Sequence, residues 1–179
     1  EEAERVMGNA FTLLLILGVA ATALFMALKE PILYLFGASP ATFPYANGYM
    51  SIYLCGTLFV MVSLGMNPFI NAQGFGRVGM MTVLLGAVVN IALDPLLIFV
   101  FDMGVQGAAL ATVFSQGLSA AWVLIFLTGK RAILRLKREN LRLDRVRTGK
   151  IVSLGLSGFF VNMTNSLVQG VCNATLQAY

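Results

Sequence analysis

From Pro31 to Gly76 the chain runs without a single charged side chain. Comparable stretches cover Val6–Leu28, Gly107–Thr128 and Ile151–Tyr179, and Val78–Phe101 carries only Asp94. Crossing the hydrocarbon of a bilayer takes about 20 mostly apolar residues as helix, and each stretch is at least that long. A soluble helix, or one lying on a membrane surface, needs a charged face that these stretches lack. The whole chain is 58% hydrophobic and 11% charged, where a soluble domain carries about 25% charged residues. The fold class that follows is all-α integral membrane, with about five transmembrane helices and no soluble domain.

The spans are expected at about residues 6–28, 45–72, 78–101, 107–128 and 151–179. Pro31, Pro40 and Pro44 mark 31–44 as an irregular connection or interfacial piece. Orientation follows from basic residues in the loops. The stretch Lys130–Lys150 holds nine of the twelve Lys and Arg residues against two acids. With that loop in the cytoplasm and the spans alternating, Arg5 and Arg77 also fall inside and only Lys29 falls outside. Topology therefore accounts for the charge, and no nucleic-acid partner is implied. Arginines near Arg135 and Arg138 are placed to meet anionic lipid head groups.

The chain starts at Glu1 and stops inside an apolar run at Tyr179, so it reads as an excerpt of a longer protein, with no signal peptide before the first span. Cys55 and Cys172 lie in apolar spans and read as two buried small hydrophobes. There is no histidine, which removes the commonest acid–base group and metal ligand. No cofactor and no obligate protein partner is expected.

Gly74, Gly76 and Gly79 fit the spacing of a dinucleotide-binding fingerprint. That chemistry needs a preceding strand and a βαβ unit, whereas these glycines join two membrane helices. Asn162-Met-Thr164 and Asn173-Ala-Thr175 match the glycosylation sequon but lie inside a span.

Asp94 is the one acid well inside a span. A carboxylate there costs about 2.5–3.5 kcal/mol on insertion scales, so it is protonated, paired or facing a wet cavity. One reading is a proton or cation site. The other is structural: Pro95 interrupts the helix and Asp94 caps the restarted piece. Asn90 lies one turn deeper on the same face. The short connection Asp102–Gln106 makes a tight hairpin, which brings Thr112 to a similar depth on the facing helix, with Gln116 one turn below. Asn90, Asp94, Thr112 and Gln116 can thus converge on one polar spot. Against this, such hydroxyls often bond only their own backbone.

The fifth span carries Asn162, Asn165, Gln169 and Asn173 at three- and four-residue intervals, a polar stripe on one helix face. Stripes of this kind either bond a neighbouring helix or line a water-filled path, and four amides favour the path. Tyr49, Tyr53, Asn67 and Asn71 form a weaker version on the second span. The nine methionines are either filler or a soft lining for varied substrates.

The block from Asn90 to Asp94-Pro95, then Gly107-Ala-Ala-Leu-Ala-Thr112, resembles the multidrug and toxic compound extrusion (MATE) transporters. Phe36-Gly-Ala-Ser39, Tyr45-Ala-Asn-Gly-Tyr49 and Asn67-Pro-Phe-Ile-Asn71-Ala-Gln-Gly74 extend the resemblance along almost the whole chain. It implies helices three to seven of a twelve-helix, two-lobe transporter. Residues 1–129 would belong to the N-terminal lobe, 130–150 would be the cytoplasmic inter-lobe loop, and 151–179 would begin the C-terminal lobe. The resemblance further implies a prokaryotic plasma-membrane location and export of amphipathic or cationic small molecules in exchange for protons or sodium. Asn90, Asp94 and Thr112 match the ion-coupling cluster of the DinF-type branch. The fifth span lacks the glutamate that other branches place there, which favours the same branch.

The expected function is therefore antiport by alternating access, not enzymatic catalysis. The ion would be coupled at Asp94, Asn90 and Thr112, with Gln116, Asn162, Asn165, Gln169 and Asn173 as substrate-cavity candidates. A lipid-linked oligosaccharide flippase of related architecture is the alternative, though it would want a cationic cavity that these spans do not offer. A non-transporting membrane subunit is the alternative from another class. An intramembrane aspartyl protease would need a second aspartate inside a span.

Overall fold

In a bilayer, water is not there to bond exposed peptide groups, so a crossing segment satisfies them internally as helix. The computed structural model describes residues 2–177, the side chains at positions 138, 157, 170, 171 and 173–177 excepted. The helices in chain order are α1 (Glu2–Leu35), α2 (Phe43–Cys55), α3 (Thr57–Ala72), α4 (Gly76–Pro95), α5 (Gly104–Thr128) and α6 (Arg145–Gln177). Helices α1, α5, α6 and α4 with its continuation to Val100 are each long and apolar enough to cross a membrane, and α2 with α3, bent by 49°, is a fifth candidate span when the pair counts as one. The expectation of an all-helical membrane chain with about five spans holds.

Three details differ from expectation. Pro31 does not end the first helix, which continues to Leu35. The proline sits near the helix end, where only the Ala27 carbonyl loses its regular donor, a loss membrane helices tolerate. The irregular piece is thus shorter than 31–44. Ser39 N–H donates to Thr42 Oγ1 (2.9 Å) and Thr42 N–H to Ser39 Oγ (3.3 Å), closing the turn that feeds α2. The second span is bent at Gly56, where a Cβ would lie 2.6 Å from Val113 Cγ2 of α5, so the close approach of α5 requires glycine there. Cys55 and Cys172 are free and exposed instead of buried. Where the surrounding medium is itself apolar, a thiol has no drive inward.

Within the first compact unit, Glu1–Arg142, the core is built by α1, α3 and α5. Met7, Val62, Met66, Ile70, Ala120, Val123 and Leu127 pack there. Large apolar side chains also point outward, Phe99 being 78% and Ile91 71% exposed, as lipid contact allows. Past α5 the chain folds back over this unit. Leu136 N–H donates to the Leu127 carbonyl (2.9 Å), Leu134 N–H to Gln73 Oε1 (2.8 Å) and Thr12 Oγ1 to the Leu141 carbonyl (2.9 Å). The Glu4 carboxylate accepts from Arg135 N–H (3.1 Å) and Lys137 Nζ (2.9 Å). That bond to Glu4 holds the Lys137 ammonium above its ordinary range. A 3-10 turn, Arg138–Leu141, ends this strap.

The second compact unit, which begins at Leu143, contains helix α6. The helix starts at Arg145 and not at Ile151, because Asp144 supplies its first turn. Asp144 Oδ1 accepts from Val146 N–H (2.9 Å) and Oδ2 pairs with Arg147 (2.9 Å).

Candidate functional site

Proline has no N–H, so the helix hydrogen-bond ladder of α4 must change step at Pro95. The chain responds with a π turn, Leu96–Val100, in which Phe101 N–H reaches back to the Leu96 carbonyl (3.1 Å). Such turns let a helix absorb a missing bond without breaking. Asp94 does not cap a restarted helix: no side-chain cap bond is made where the π turn begins. The capping reading of Asp94 is therefore set aside, since the helix never stops. Its Oδ1 instead accepts from Asn90 Nδ2 (3.4 Å). At the far end, Asp102 takes the left-handed conformation (φ 51°), which a short polar side chain tolerates, and α5 returns antiparallel to α4.

Between α3, α4 and α5 lies a cavity of about 230 Å³ whose lining includes Asn90, Thr112 and Gln116. Three of the four residues expected to converge thus share one cavity. Asp94 is not part of the lining and touches it only through Asn90. Thr112 Oγ1 donates to the Ala108 carbonyl (3.0 Å), the back-bonding considered from sequence. Gln116 is held by a hydrogen bond from Ser63 Oγ to its Oε1 (3.1 Å).

The wall also contains Asn67, a member of the weaker second-span stripe, and Ser63, Thr82, Ser115 and Ser119, none of which was singled out as a site residue. The four hydroxyl residues are buried. Ser119 Oγ donates to the Thr82 carbonyl (3.0 Å) and Ser115 Oγ to the Ala111 carbonyl. Asn67 Nδ2 donates to the Gly79 carbonyl (3.2 Å), leaving its buried Oδ1 without a partner among the described residues. Ser115 and Ser119 sit one turn apart beside Gln116, a spacing that could have flagged them. Ser63 on α3 could not be found that way, because nothing local to it says which face of α3 meets the hairpin. Chemically the cavity offers neutral donors and acceptors with one carboxylate at its edge, a setting suited to a small cation, a proton or water.

In α6, Asn162, Asn165 and Gln169 are exposed, and Asn162 Nδ2 donates to the Gly158 carbonyl of its own helix (2.9 Å). The side chain of Asn173 lies outside those described. Gly74, Gly76 and Gly79 form the α3–α4 connection and the start of α4, with no strand before them among the described residues.

The sequence profile of the MatE family matches residues 1–96. The chain belongs to the MATE family. It is 28% identical over 92% of its length to the multidrug export protein MepA of Staphylococcus saprophyticus, covering 37% of that protein. It is 31% identical over 98% of its length to an FAD transporter of Shewanella oneidensis, covering 40% of it. The chain therefore spans well under half the length of these curated relatives. A crystal structure of MATE in the bent conformation superposes with a TM-score of 0.81 at 26% identity, over 86% of this chain and 35% of that one. A MATE transporter of the MOP superfamily in the outward-facing conformation gives 0.79 at 26% identity, covering 86% and 34%. The fold is thus that of part of a MATE transporter.

Proposed function

We propose that the protein supplies helices three to seven of a secondary efflux transporter of the DinF-type branch in a prokaryotic plasma membrane. Residues 1–129 belong to the N-terminal lobe, 130–150 form a cytoplasmic inter-lobe loop, and 151–179 open the C-terminal lobe. The transporter exports amphipathic or cationic small molecules in exchange for protons or sodium. The similarity to MepA supports the substrate class. The basic excess of 130–150 supports the orientation.

The observation that carries the coupling reading is the Asn90–Asp94 pair at the edge of a polar cavity. A proton on Asp94, or a cation held by Asp94, Asn90 and Thr112, would favour one arrangement of the lobe over the other. Coupling requires only that ion and substrate bind the two arrangements with different affinity. Gln116 and the amides Asn162, Asn165, Gln169 and Asn173 are read as substrate-cavity groups.

The test is transport. Full-length protein in liposomes should extrude a fluorescent organic cation under an imposed proton or sodium gradient, and folded Asp94→Asn should not. Absence of transport by the wild type under both gradients rejects drug efflux.

The similarity to the Shewanella FAD transporter favours a second reading, in which the substrate is a flavin nucleotide. Counterflow of FAD in the same vesicles, with the organic cation inert, would select it.

A further inference from the structure

Apart from the polar cavity, the first unit has a second concavity of about 620 Å³ at the end of the bundle where the strap begins. Its volume is in the range of small-ligand pockets, about 300–1,000 Å³. Phe75 and Val78 at the start of α4 form one wall, and Trp122 and Phe126 near the end of α5 form the other. The rings of Phe75 and Phe126 meet edge to face at 5.2 Å, which makes a rigid apolar floor. Lys130 and Arg131, just past the end of α5, complete the lining. A third cation is brought there by Arg135, whose Nη2 donates to the Lys130 carbonyl (3.2 Å). Neither Lys130 nor Arg131 has an ion pair among the described residues.

The occupant has to match an apolar slot closed at one end by positive charge. At about 1.5 Å rise per residue, Trp122 lies roughly 10 Å below Gly129, so the slot runs into the hydrocarbon while its cations stay at the interface. An organic cation is excluded by charge, and a free anion leaves the aromatic floor bare. We infer that this groove binds an anionic phospholipid from the leaflet facing the Lys130–Lys150 loop, its phosphate on Lys130 and Arg131 and an acyl chain along Trp122 and Phe126. The inference rests on the membrane placement of α4 and α5 and does not depend on transport. A lipid held there would tie the end of the α4–α5 hairpin to the start of the strap.

Trp122 is the one tryptophan of the chain and reports directly on the slot. The full-length protein is placed in vesicles carrying brominated phosphatidylglycerol or brominated phosphatidylcholine. Quenching is assigned to Trp122 by its loss in Trp122→Phe. Phosphatidylglycerol should be preferred on the order of tenfold, as two interfacial cations imply. Lys130→Gln with Arg131→Gln should bring the ratio close to one, while the same charge change at Arg145 and Lys150 should leave it intact. Equal quenching by both lipids in the wild type overturns the inference even if the charge variant fails to fold. So does an equal loss in the Arg145/Lys150 variant, and so does quenching by neither lipid, which would mean that protein covers the groove.

Discussion

Asn90 and Asp94 are joined across one turn of α4, the amide Nδ2 donating to the carboxylate Oδ1 at 3.4 Å. The bond is long, and both residues are only half-buried, so the pair is not locked into the core. Replacing Asp94 by Asn keeps the size and leaves the amide a carbonyl oxygen to bond. Thermal unfolding in detergent should place Asp94→Asn within about 1 kcal/mol of wild type, with gradient-driven efflux lost. A large destabilisation would instead make Asp94 a structural residue.

Gly86 of α4 lies close against Ser119 of α5. A Cβ on Gly86 would lie 2.6 Å from Ser119 Oγ, the same oxygen whose hydroxyl bonds the Thr82 carbonyl. Gly86→Ala should cost about 1–3 kcal/mol by overpacking. Ser119→Ala alone should cost about 1 kcal/mol for the lost bond. Because the second change removes the clashing atom, the double variant should be more stable than the sum predicts. Strict additivity in unfolding experiments would show that the helices are not this close.

Met66 is fully buried among Met7, Val62, Ile70 and Leu127. In lipid the transfer contribution to burial is largely absent, so truncation acts through lost packing. Met66→Ala is expected near the low end of core truncations, about 2 kcal/mol, whereas Ile91→Ala, on the exposed side of α4, should be close to neutral. Comparing their unfolding temperatures in one detergent checks both.

Glu4 accepts from the strap twice, from a backbone N–H and from the Lys137 ammonium. Glu4→Ala removes both acceptors and should speed limited tryptic cleavage after Arg135 several-fold. Glu4→Gln retains an oxygen for Arg135 N–H and should fall between. An unchanged cleavage rate in Glu4→Ala would mean that Leu136, Leu134 and Thr12 hold the strap without it.

Much of the fold was legible because the bilayer imposes its rule locally. A segment either lacks charge over the required length or it does not, and that can be counted along the chain. The hairpin from Asp102 to Gln106 was readable for the same reason, so Thr112 could be placed at the depth of Asp94, with Asn90 and Gln116 each one turn deeper. Pro31 misled, because a proline near a helix end removes one bond without stopping the helix. Asp94-Pro95 misled in part, because the π turn let the helix pass through with no cap needed.

What the chain could not announce was azimuth. Ser63 and Asn67 reach the cavity only because α3 turns that face towards α4 and α5, and Gly56 sets the bend that lets it. Lipid is as apolar as leucine, so an apolar side chain does not tell whether its face of a membrane helix turns inward. The docking of residues 130–142 on Glu4, Thr12 and Gln73 is equally non-local, since its partners lie far away in sequence. The sequence by itself determined the spans and their approximate ends, through the cost of placing charge and unbonded peptide groups in hydrocarbon. The tertiary structure decided which side chains meet, because between apolar helices only close packing and a few hydrogen bonds choose one face over another.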